Sequence, residues 1–546
     1  MQQKKVKHWL HVFVILIILC LSGCQFTTTL SPRPAGKNNR TLVITDNQEP
    51  PNLDLSKSTD VVSGRILNNV MEGLLRFDEN QKAQPAIAKS LPTISKDQLT
   101  YTFHLRDAKW SDGKPVRAQD FEYSWKRTLN PKTRSEYAFI FFPIQNAEEY
   151  HLGKAKEEDV GVKALDDKTL QVKLRAPTPY FTELTAFDTY QPLRKDIVEK
   201  YGDEYAKSPE TMVYNGPFKL TEWKHDASLT LKKNPYYWDA KKVKLDTVEV
   251  KIIKDVSTGV NLYYTNLLDF TLLSHEFADL YRNKPDFTVI KTLSTRYLEF
   301  NQTQKFFQNK KIRQAIDYAI DKRELVEKVL RDNSTPAGGL IPPTIKANDE
   351  QMYRSLYPVQ PKFDPNQARK LYREGLKELG LSKQPKVFEI VGDDVGKAKK
   401  FMDYFKEQMR KHLGMEVKVT AIPFKQRLDR GKKQQFDLLL GGWNGDYNDP
   451  QTFIDLFLSN SPFNRGKWRN ARYDQLVIKA STHPNREQRT NMQMEAEKIL
   501  LADHAIIPLY YDVSLAVTKP FVKGMYWNYV GNNYTLKEAY LDFPEK

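Results

Sequence analysis

Short alternating segments and isolated helices fill the first 250 residues of the chain. Residues 41–45 form an apolar run, whereas residues 100–116 and 169–174 alternate apolar and polar side chains, which is typical of half-buried strands. Residues 62–75 and 118–129 instead carry apolar side chains near helical spacing. The first half is therefore predicted to mix short strands with separate helices.

Longer helices are predicted in the second half. Residues 310–330 place apolar side chains on one helical face. Asp364 and Pro365 are typical of a helix start, with the Asp as cap and the Pro in the first turn. Residues 395–412 form a further predicted helix that ends at Gly414, and a strand follows it. Helices that alternate with strands indicate an α/β domain.

One stretch of the second half has an unusual composition. Residues 441–453 read GGWNGDYNDPQTF and follow the apolar run 436–440. The run is predicted to be a buried strand that ends at the two glycines. The chain then places bulky aromatic side chains and carboxylates together on a flexible corner, which is typical of a binding site.

The N-terminus is predicted to be an export signal. Three lysines precede the apolar run 9–21, which is too short to span a bilayer comfortably. Residues 21–24, Leu-Ser-Gly-Cys, resemble the bacterial lipobox, which implies a signal peptide over residues 1–23 and a lipid on Cys24. An ordinary signal peptide or a short anchor helix are the alternatives. Residues 24–40 are then the lipidated cysteine and a flexible tether.

Charge and cysteine content narrow the functional class. The formal net charge is +16, but the basic residues are spread along the chain and interleaved with acids, which argues against nucleic-acid binding. An anionic membrane or cell wall is the expected neighbour of an exported basic protein. Cys20 and Cys24 are the two cysteines, so the mature chain is expected to have no free thiol and no disulfide.

Motifs of catalysis and cofactor binding are absent from the sequence. The seven histidines of the mature chain show no metal-ligand spacing, and no nucleophile elbow, phosphate loop or dinucleotide fingerprint occurs. No cofactor and no metal are therefore expected. A peptidase stays open as an unfavoured alternative, because a pair of carboxylates can be assembled in three dimensions from 68 acidic residues.

Seven segments together resemble one family. They occur in order over nearly the whole chain: the lipobox, EPPNLDLSKSTD, NVMEGLLRF, AKWSDGKPVRAQDFEYSWKRTLNP, YNGPFKLTEWK, KIRQAIDYAID and GGWNGDYNDP. The chain resembles the oligopeptide-binding lipoproteins of peptide-importing ABC transporters, most of all their Gram-positive group. The resemblance implies a monomer, lipid-anchored on the extracytoplasmic face of the cell membrane. Such a protein captures oligopeptides and delivers them to a membrane permease with cytoplasmic ATPases.

The resemblance also implies an α/β, periplasmic-binding-protein-like fold with two lobes, a hinge and an additional inserted domain. Domain I would combine residues 41–61, 209–297 and 514–546. Domain II would be the insertion 62–208, and domain III would span 298–513. A peptide would lie extended between domains I and III, which close around it.

The resemblance places a peptide-binding site on eight residues: Glu49, Tyr137, Phe424, Gly442, Trp443, Asn444, Asp446 and Tyr447. A buried ammonium requires a carboxylate with good hydrogen bonds, and the family's Asp for this role falls on Asp446. The strand before it would pair with the peptide backbone, and its glycines would allow close approach. Trp443 and Tyr447 would wall the pocket for variable side chains. A solvated turn acid and ordinary core aromatics are the structural alternatives.

Three further positions match the family's site. Glu49 matches a Glu that contacts the peptide backbone near its start. Tyr137 matches a Tyr of the insertion that faces the ligand, and Phe424 lies where the family has a cleft aromatic. A solvated acid, a helix-end aromatic and a core residue are the respective alternatives.

One departure from the family concerns the peptide's carboxyl end. Some members hold it with an Arg at the position of Leu440. In this chain, either the peptide's carboxyl end stays in solvent or one of four basic residues further out holds it. The four are Arg427, Arg430, Lys432 and Lys433. Tetra- to hexapeptides are the expected ligands, and longer or unusually hydrophobic ones stay open. Rival functions are a receptor for one signalling peptide and a binder of a non-peptide ligand with the same fold.

Overall fold

The computed structural model describes residues 40–348 and 351–543. The predicted signal peptide, Cys24 and all but the last residue of the predicted tether lie outside the described residues. Within the described part, no helix is both long enough and apolar enough to cross a bilayer. From Arg40 onward the chain forms a single unit.

Seven strands form the central sheet, which contains three of the eight predicted site residues: Gly442, Trp443 and Asn444. Six of them lie in the order Phe270–Leu273, Ile506–Thr518, Phe287–Phe300, Leu438–Asn444, Phe388–Asp393 and Val417–Ile422. The short strand Thr335–Pro336 pairs with the second of these. We call Leu438–Asn444 the cleft strand.

Two four-stranded sheets lie in the first half of the chain. One has the order Thr41–Asp46, Thr247–Ile252, Ser228–Lys233 and Phe218–Lys224, and the other has the order Thr93–Ile94, Thr100–His104, Thr169–Lys173 and Val162–Asp166. Two-stranded pairs join Leu75–Phe77 to Ala83–Pro85, Val522–Lys523 to Tyr540–Leu541, and Tyr526–Asn528 to Asn533–Thr535. The second four-stranded sheet lies wholly within the predicted insertion.

Helices surround these sheets. The α-helices of nine or more residues are Val61–Val70, Ala118–Leu129, Val256–Tyr264, Lys310–Tyr318, Pro365–Glu378, Lys397–Leu413, Phe424–Lys432, Ala471–Ser481 and Arg486–Ala502. Shorter α-helical segments are Ala147–His151, Phe181–Leu184, Lys195–Tyr201, His275–Tyr281, Lys305–Gln308, Lys322–Glu324, Tyr353–Leu356 and Gln451–Ile454.

Local signals in the sequence set several helix bounds correctly. The helix predicted over 118–129 is Ala118–Leu129. The side chain of Asp364 accepts a hydrogen bond from the backbone N–H of Gln367 at 3.0 Å and so caps the helix Pro365–Glu378. Lys397–Leu413 ends at Gly414, whose φ of +63° lies in the left-handed region that glycine adopts without strain.

Two predicted helices are shorter than their apolar patterns. The helix over 62–75 ends at Val70. The continuous helix over 310–330 is wrong: it stops at Tyr318, and Asp321 accepts from two backbone N–H groups to start a new segment, Lys322–Glu324. A π-helical turn, Leu325–Leu330, continues that segment. An internal capping Asp therefore overrides an apolar face that spans both pieces.

The prediction that the buried strand ends at the two glycines is also wrong. The cleft strand runs through Gly441 and Gly442 to Asn444. Both glycines pair with the long strand Phe287–Phe300, opposite Tyr297 and Arg296. Partners on the neighbouring strand keep these positions extended, although glycine alone disfavours a strand.

Two long strands cross the predicted junctions between domains. Phe287–Phe300 and Ile506–Thr518 pair with each other and contain the predicted boundaries 297/298 and 513/514. Their register shifts between Lys291 and Thr295, so the ladder is irregular beside the second boundary. The domain limits stay a prediction. A hinge at this irregular part of the ladder would agree with them.

Buried apolar side chains form two large clusters. The larger one fills the first-half sheets and the predicted insertion, and it extends to Trp443 and Tyr447. The second lies on the central sheet beneath the helices Lys310–Tyr318, Pro365–Glu378 and Lys397–Leu413. Trp443 therefore stands where the first cluster meets the edge of the central sheet.

Candidate functional site

Asp446 is a buried carboxylate with no cation bound to it among the described residues. Its side chain is 4% exposed. Oδ1 accepts a hydrogen bond from the hydroxyl of Tyr137 at 3.0 Å, and Oδ2 accepts from that of Thr452 at 3.4 Å. Burial raises the pKa of Asp446 well above its usual range despite these two donors, and the nearby Asp188 adds to the rise. Such a group is poised to receive a positive charge.

Aromatic rings surround this carboxylate. The ring centroid of Trp443 lies 4.8 Å from that of Phe463 and 6.1 Å from that of Tyr137, in edge-to-face arrangements. Phe187 stands edge-on to Tyr137 at 5.7 Å. These flat faces exclude water from the carboxylate and offer apolar area to a ligand.

The cleft strand has one open edge. Its partner Phe388–Asp393 pairs only with Leu438 and Leu439, and no other strand of the described residues pairs with that side. On the opposite side, the N–H of Gly445 donates to the carbonyl of Leu293 at 2.9 Å. Backbone groups alternate between the two sides in an antiparallel ladder. The N–H and C=O of Gly442 and Asn444 therefore point toward the open edge.

Gly442 is required by the side chain opposite it. A Cβ at this position would lie 2.7 Å from Cδ of Arg296. Gly442 and Arg296 form a pair that is not hydrogen-bonded, and such pairs bring opposing side chains closest together. The space lets the Arg296 guanidinium pass and donate from Nε to Oδ2 of Asp512 at 2.9 Å. The glycine thus makes room for a neighbouring arginine as well as for an approaching backbone.

Three adjoining cavities follow the open edge. The first, of about 150 Å3, contains Asp446. The second, of about 840 Å3, shares Ser294, Arg296, Phe424 and Gly441 with the first. The third, of about 730 Å3, adjoins the second and also includes Phe424. The small cavity thus adjoins the two larger ones through shared lining residues.

Six of the eight predicted site residues line the first cavity: Tyr137, Phe424, Gly442, Trp443, Asn444 and Asp446. Phe424, the first residue of its helix, stands where all three cavities meet. The guanidinium of Arg427 lies 5.0 Å from the centre of its ring.

Tyr447 lies outside the first cavity. Its buried ring stacks on Tyr180 of the predicted insertion, with centroids 4.6 Å apart and planes 8° apart. The chain bends at these two residues, and Asp446 faces the cavity while Tyr447 does not line it. The structure therefore places the predicted pocket wall in a contact between two parts of the protein.

Glu49 also lies away from Asp446. It lines the third cavity, and both of its oxygens are engaged by the turn between two strands. Oε1 accepts from Nε1 of Trp223 at 2.7 Å and lies 2.8 Å from Nδ1 of His225, while Oε2 accepts from the backbone of Asp226 at 3.0 Å. Through these bonds Glu49 stabilises the turn beside the third cavity.

The basic residues predicted to replace the missing arginine are mostly engaged elsewhere. Of the four, only Arg427 lines a cavity, and it donates to Asp393 at 2.6 Å. The other three bind carboxylates: Arg430 with Glu389, Lys432 with Glu136 and Lys433 with Asp429. Glu136 also binds Arg465, which lines the first cavity. Leu440 lines the second cavity, whose basic residues are Arg65, Lys254, His275, Arg296, Lys397, Lys399 and Lys400.

Sequence reasoning missed several polar residues of the first cavity. Asp60, Asp188 and Asn533 line it, and burial raises the pKa of Asp60 to about 6. No local pattern marks Asp188 or Asn533, because they are 345 residues apart and meet only in the fold. Among the described residues, no group of His, Cys, Asp and Glu side chains is arranged to hold a metal ion.

Comparisons with known proteins agree with this geometry. The Bacillus subtilis (strain 168) oligopeptide-binding protein OppA is 34% identical over 98% of this chain and 99% of its own. A structure of Listeria monocytogenes OppA bound to peptide matches with a TM-score of 0.88 and 37% identity, over 92% of this chain and 99% of that one. The pheromone receptor PrgZ matches with a TM-score of 0.88 and 34% identity, over 93% of this chain and 100% of its own.

The conformation differs from that of an open relative. The unliganded open form of the murein tripeptide-binding protein MppA matches with a TM-score of only 0.62, at 29% identity and with 92% of this chain and 98% of that chain covered. The cleft described above is therefore closer to the peptide-bound arrangement than to the open one. The family model "Bacterial extracellular solute-binding proteins, family 5 Middle" matches residues 82–465. The chain belongs to the bacterial extracellular solute-binding proteins of family 5.

Proposed function

We propose that this protein is an extracytoplasmic receptor that captures oligopeptides in a closing cleft and delivers them to a peptide-importing ABC permease. The observation that carries the proposal is Asp446, a buried carboxylate with no bound cation among the described residues, in a cavity lined by aromatic side chains. A peptide ammonium supplies the missing charge, and the family membership supports the role. No covalent chemistry is needed.

The open edge of the cleft strand supports backbone recognition. The N–H and C=O groups of Gly442 and Asn444 can pair with an extended peptide as an added strand would. Main-chain pairing gives affinity without reading side chains, so one cleft can accept many sequences. The remainder of the peptide then continues past Phe424 into the second cavity, where Lys397, Lys399 and Lys400 stand.

Binding shifts the protein from an open to a closed state. The hydroxyl of Tyr137, from the insertion, and the backbone of the cleft strand meet the ligand only when these parts come together. A ligand that contacts both sides stabilises the closed form by its extra affinity for it. The permease then distinguishes loaded from empty receptor by this change of state.

The proposal includes a lipid anchor at Cys24 and a monomeric receptor on the outer face of a Gram-positive cell membrane. The basic start, the apolar run and the Leu-Ser-Gly-Cys sequence support this part. Replacing Cys24 by Ser is expected to release the protein from the membrane fraction into the medium. Retention of the variant on the membrane would contradict the lipid anchor while leaving the peptide-binding proposal intact.

The test of function is the chemistry of the ligand that the protein carries. The chain from Gln25 onward is purified, its ligand is released by partial unfolding, and the released material is measured by mass spectrometry. A mixture of peptides of similar length is the expected result and gives the length range. One single peptide would indicate a signalling receptor. Sugars or other non-peptide compounds would overturn the proposal.

A further inference from the structure

A second buried carboxylate faces the cavity that contains Asp446. Asp188 is 9% exposed and lies in a short turn of the predicted insertion. Its carboxylate accepts one hydrogen bond among the described residues, from Nδ2 of Asn533 at 3.1 Å. No ion pair within the described part of the chain includes Asp188.

The amide of Asn533 adds a second oxygen without a donor. Its NH2 group donates to Asp188, so its Oδ1 is not bonded to that carboxylate. Asn533 is 5% exposed, and this buried oxygen has no hydrogen-bond partner among the described residues. A buried polar atom that stays unpaired costs free energy, so the site favours a donor from a ligand.

Oδ2 of Asp188 and Oδ1 of Asn533 both lie beside Gly64. A Cβ added to Gly64 would lie 2.9 Å from Oδ2 of Asp188 and 3.1 Å from Oδ1 of Asn533. All three residues line the first cavity. With no side chain at position 64, two acceptors with partial or full negative charge meet at one place in the cavity wall.

The cavity's own cations are engaged with other carboxylates. Arg296 pairs with Asp512 at 2.9 Å, Arg427 with Asp393 at 2.6 Å and Arg465 with Glu136 at 3.0 Å. Four carboxyl groups line the cavity: Asp60, Asp188, Glu299 and Asp446. Asp60 accepts from the backbone N–H groups of Val62 and Ser63, and Arg465 faces Glu299. A peptide ammonium at Asp446 therefore leaves Asp188 without a cation among the described residues. Burial raises the pKa of Asp188 to about 7, so this group is partly ionised near neutral pH and is stabilised by a further cation.

We propose that Asp188 and Asn533 form a subsite for a cationic first side chain, so that the protein prefers peptides that begin with lysine or arginine. The inference rests on the proposed function, because the same small cavity must also hold the ammonium at Asp446. Because Asp188 and Asp446 line the same cavity, the residue that carries the ammonium is the one placed beside both carboxylates. The preference therefore applies to the first position of the peptide.

Calorimetry at pH 7.5 on ligand-stripped protein tests this subsite. The probes are two pentapeptides, Lys-Ala-Ala-Ala-Ala and the same peptide with norleucine in first place, which keeps the apolar stem but lacks the charge. The wild-type protein is expected to bind the lysine peptide about 10- to 100-fold more tightly, as for hydrogen bonds to charged groups. Equal affinities in the wild-type protein would overturn the subsite without any variant.

The substitution Asp188→Asn assigns the preference to this residue. It is expected to abolish the preference, measured as the ratio of the affinities of the two peptides for the same variant. The matched control is Asp455→Asn, another carboxyl whose pKa burial raises to about 7 but which lies outside the cavity; it should keep the preference. A preference that survives Asp188→Asn would overturn the assignment. Binding of neither peptide to the wild-type protein would contradict the proposed function itself.

Discussion

The hydroxyl of Tyr137 donates a 3.0 Å hydrogen bond to Oδ1 of Asp446, across 309 positions of sequence. It joins the predicted insertion to the corner that follows the cleft strand. The environment of the carboxylate is thus complete only when these two parts of the chain meet. The proposed capture of an ammonium at Asp446 would therefore depend on the contact between these two parts.

Replacing Asp446 by Asn should selectively weaken the binding of peptides with a free amino end. Loss of one partner of a buried charge pair costs about 2–5 kcal/mol of binding free energy. Calorimetry with a free and an N-acetylated peptide measures the effect. The wild-type protein should prefer the free peptide, and the variant should bind both alike. An unchanged preference in the variant would rule out Asp446 as the ammonium partner.

Replacing Tyr137 by Phe should weaken binding less than the loss of Asp446. The ionised carboxylate of the complex loses one of its two donors, which costs about 1.5–3 kcal/mol for a hydrogen bond to a charged group. Tyr150→Phe is the matched control, since that hydroxyl donates to Glu157 at 3.2 Å, outside the cavity. Equal affinities of the two variants for the same peptide would contradict a role for the Tyr137 hydroxyl.

Peptide binding should lower the pKa of Asp446 and release a proton at pH values between the pKa of the complex and that of the free protein. In the empty cavity, burial raises the pKa of Asp446 well above its usual range. A bound ammonium favours the ionised form, and the proton then leaves. Affinity should therefore rise with pH up to the raised pKa. Calorimetry in buffers of different ionisation enthalpy measures the release, and Asp446→Asn should abolish it.

Asp449 should contribute to the stability of the fold, whereas Asp446, only three residues away, should not. Its two oxygens accept from Nη1 and Nη2 of Arg489 at 2.6 and 2.7 Å, and Arg489 is 4% exposed. Replacing Asp449 by Asn leaves a buried guanidinium uncompensated, so the free energy of unfolding should fall by about 3–5 kcal/mol. Asp446→Asn should not lower it. Denaturant unfolding of both ligand-free variants decides this.

N-methylation of the ligand should reveal its pairing with the cleft strand. A series of pentapeptides with one methylated amide each would lose affinity at alternate positions, because only alternate backbone groups face the open edge. Each lost hydrogen bond is expected to cost about 1 kcal/mol, with steric exclusion in addition. A uniform loss at every position, measured by calorimetry, would argue against an added strand.

The sequence contained much of the site but not its orientation. The segment GGWNGDYNDP and the family resemblance located Trp443 and Asp446, which the structure brings together with Tyr137 in one cavity. Tyr447 and Glu49 were predicted on the same pattern yet lie outside this cavity, because Tyr447 stacks on Tyr180 and Glu49 binds the turn at Trp223, His225 and Asp226. Family patterns identify segments more readily than the direction of each side chain.

Contacts between residues far apart in the sequence could not be predicted from local patterns. Asp188 and Asn533 have no sequence signature, since their meaning depends on a contact across 345 residues. The extension of the cleft strand through Gly441 and Gly442 has the same origin, because the partner strand holds both glycines extended. Helix bounds with a local cap, such as Asp364, were predictable from the sequence alone.

The paired strands Phe287–Phe300 and Ile506–Thr518 set a mechanical limit on how the receptor works. Because both strands run unbroken past the predicted boundaries, separation of the two lobes requires flexure of this ribbon, whose register shifts between Lys291 and Thr295 and again between Arg296 and Tyr297. The cleft strand pairs with the same ribbon from Ser294 to Phe300, a stretch that contains the second shift. The surface proposed to read the peptide backbone is therefore tied to the ribbon that bends, so that opening of the lobes and exposure of this surface are one movement.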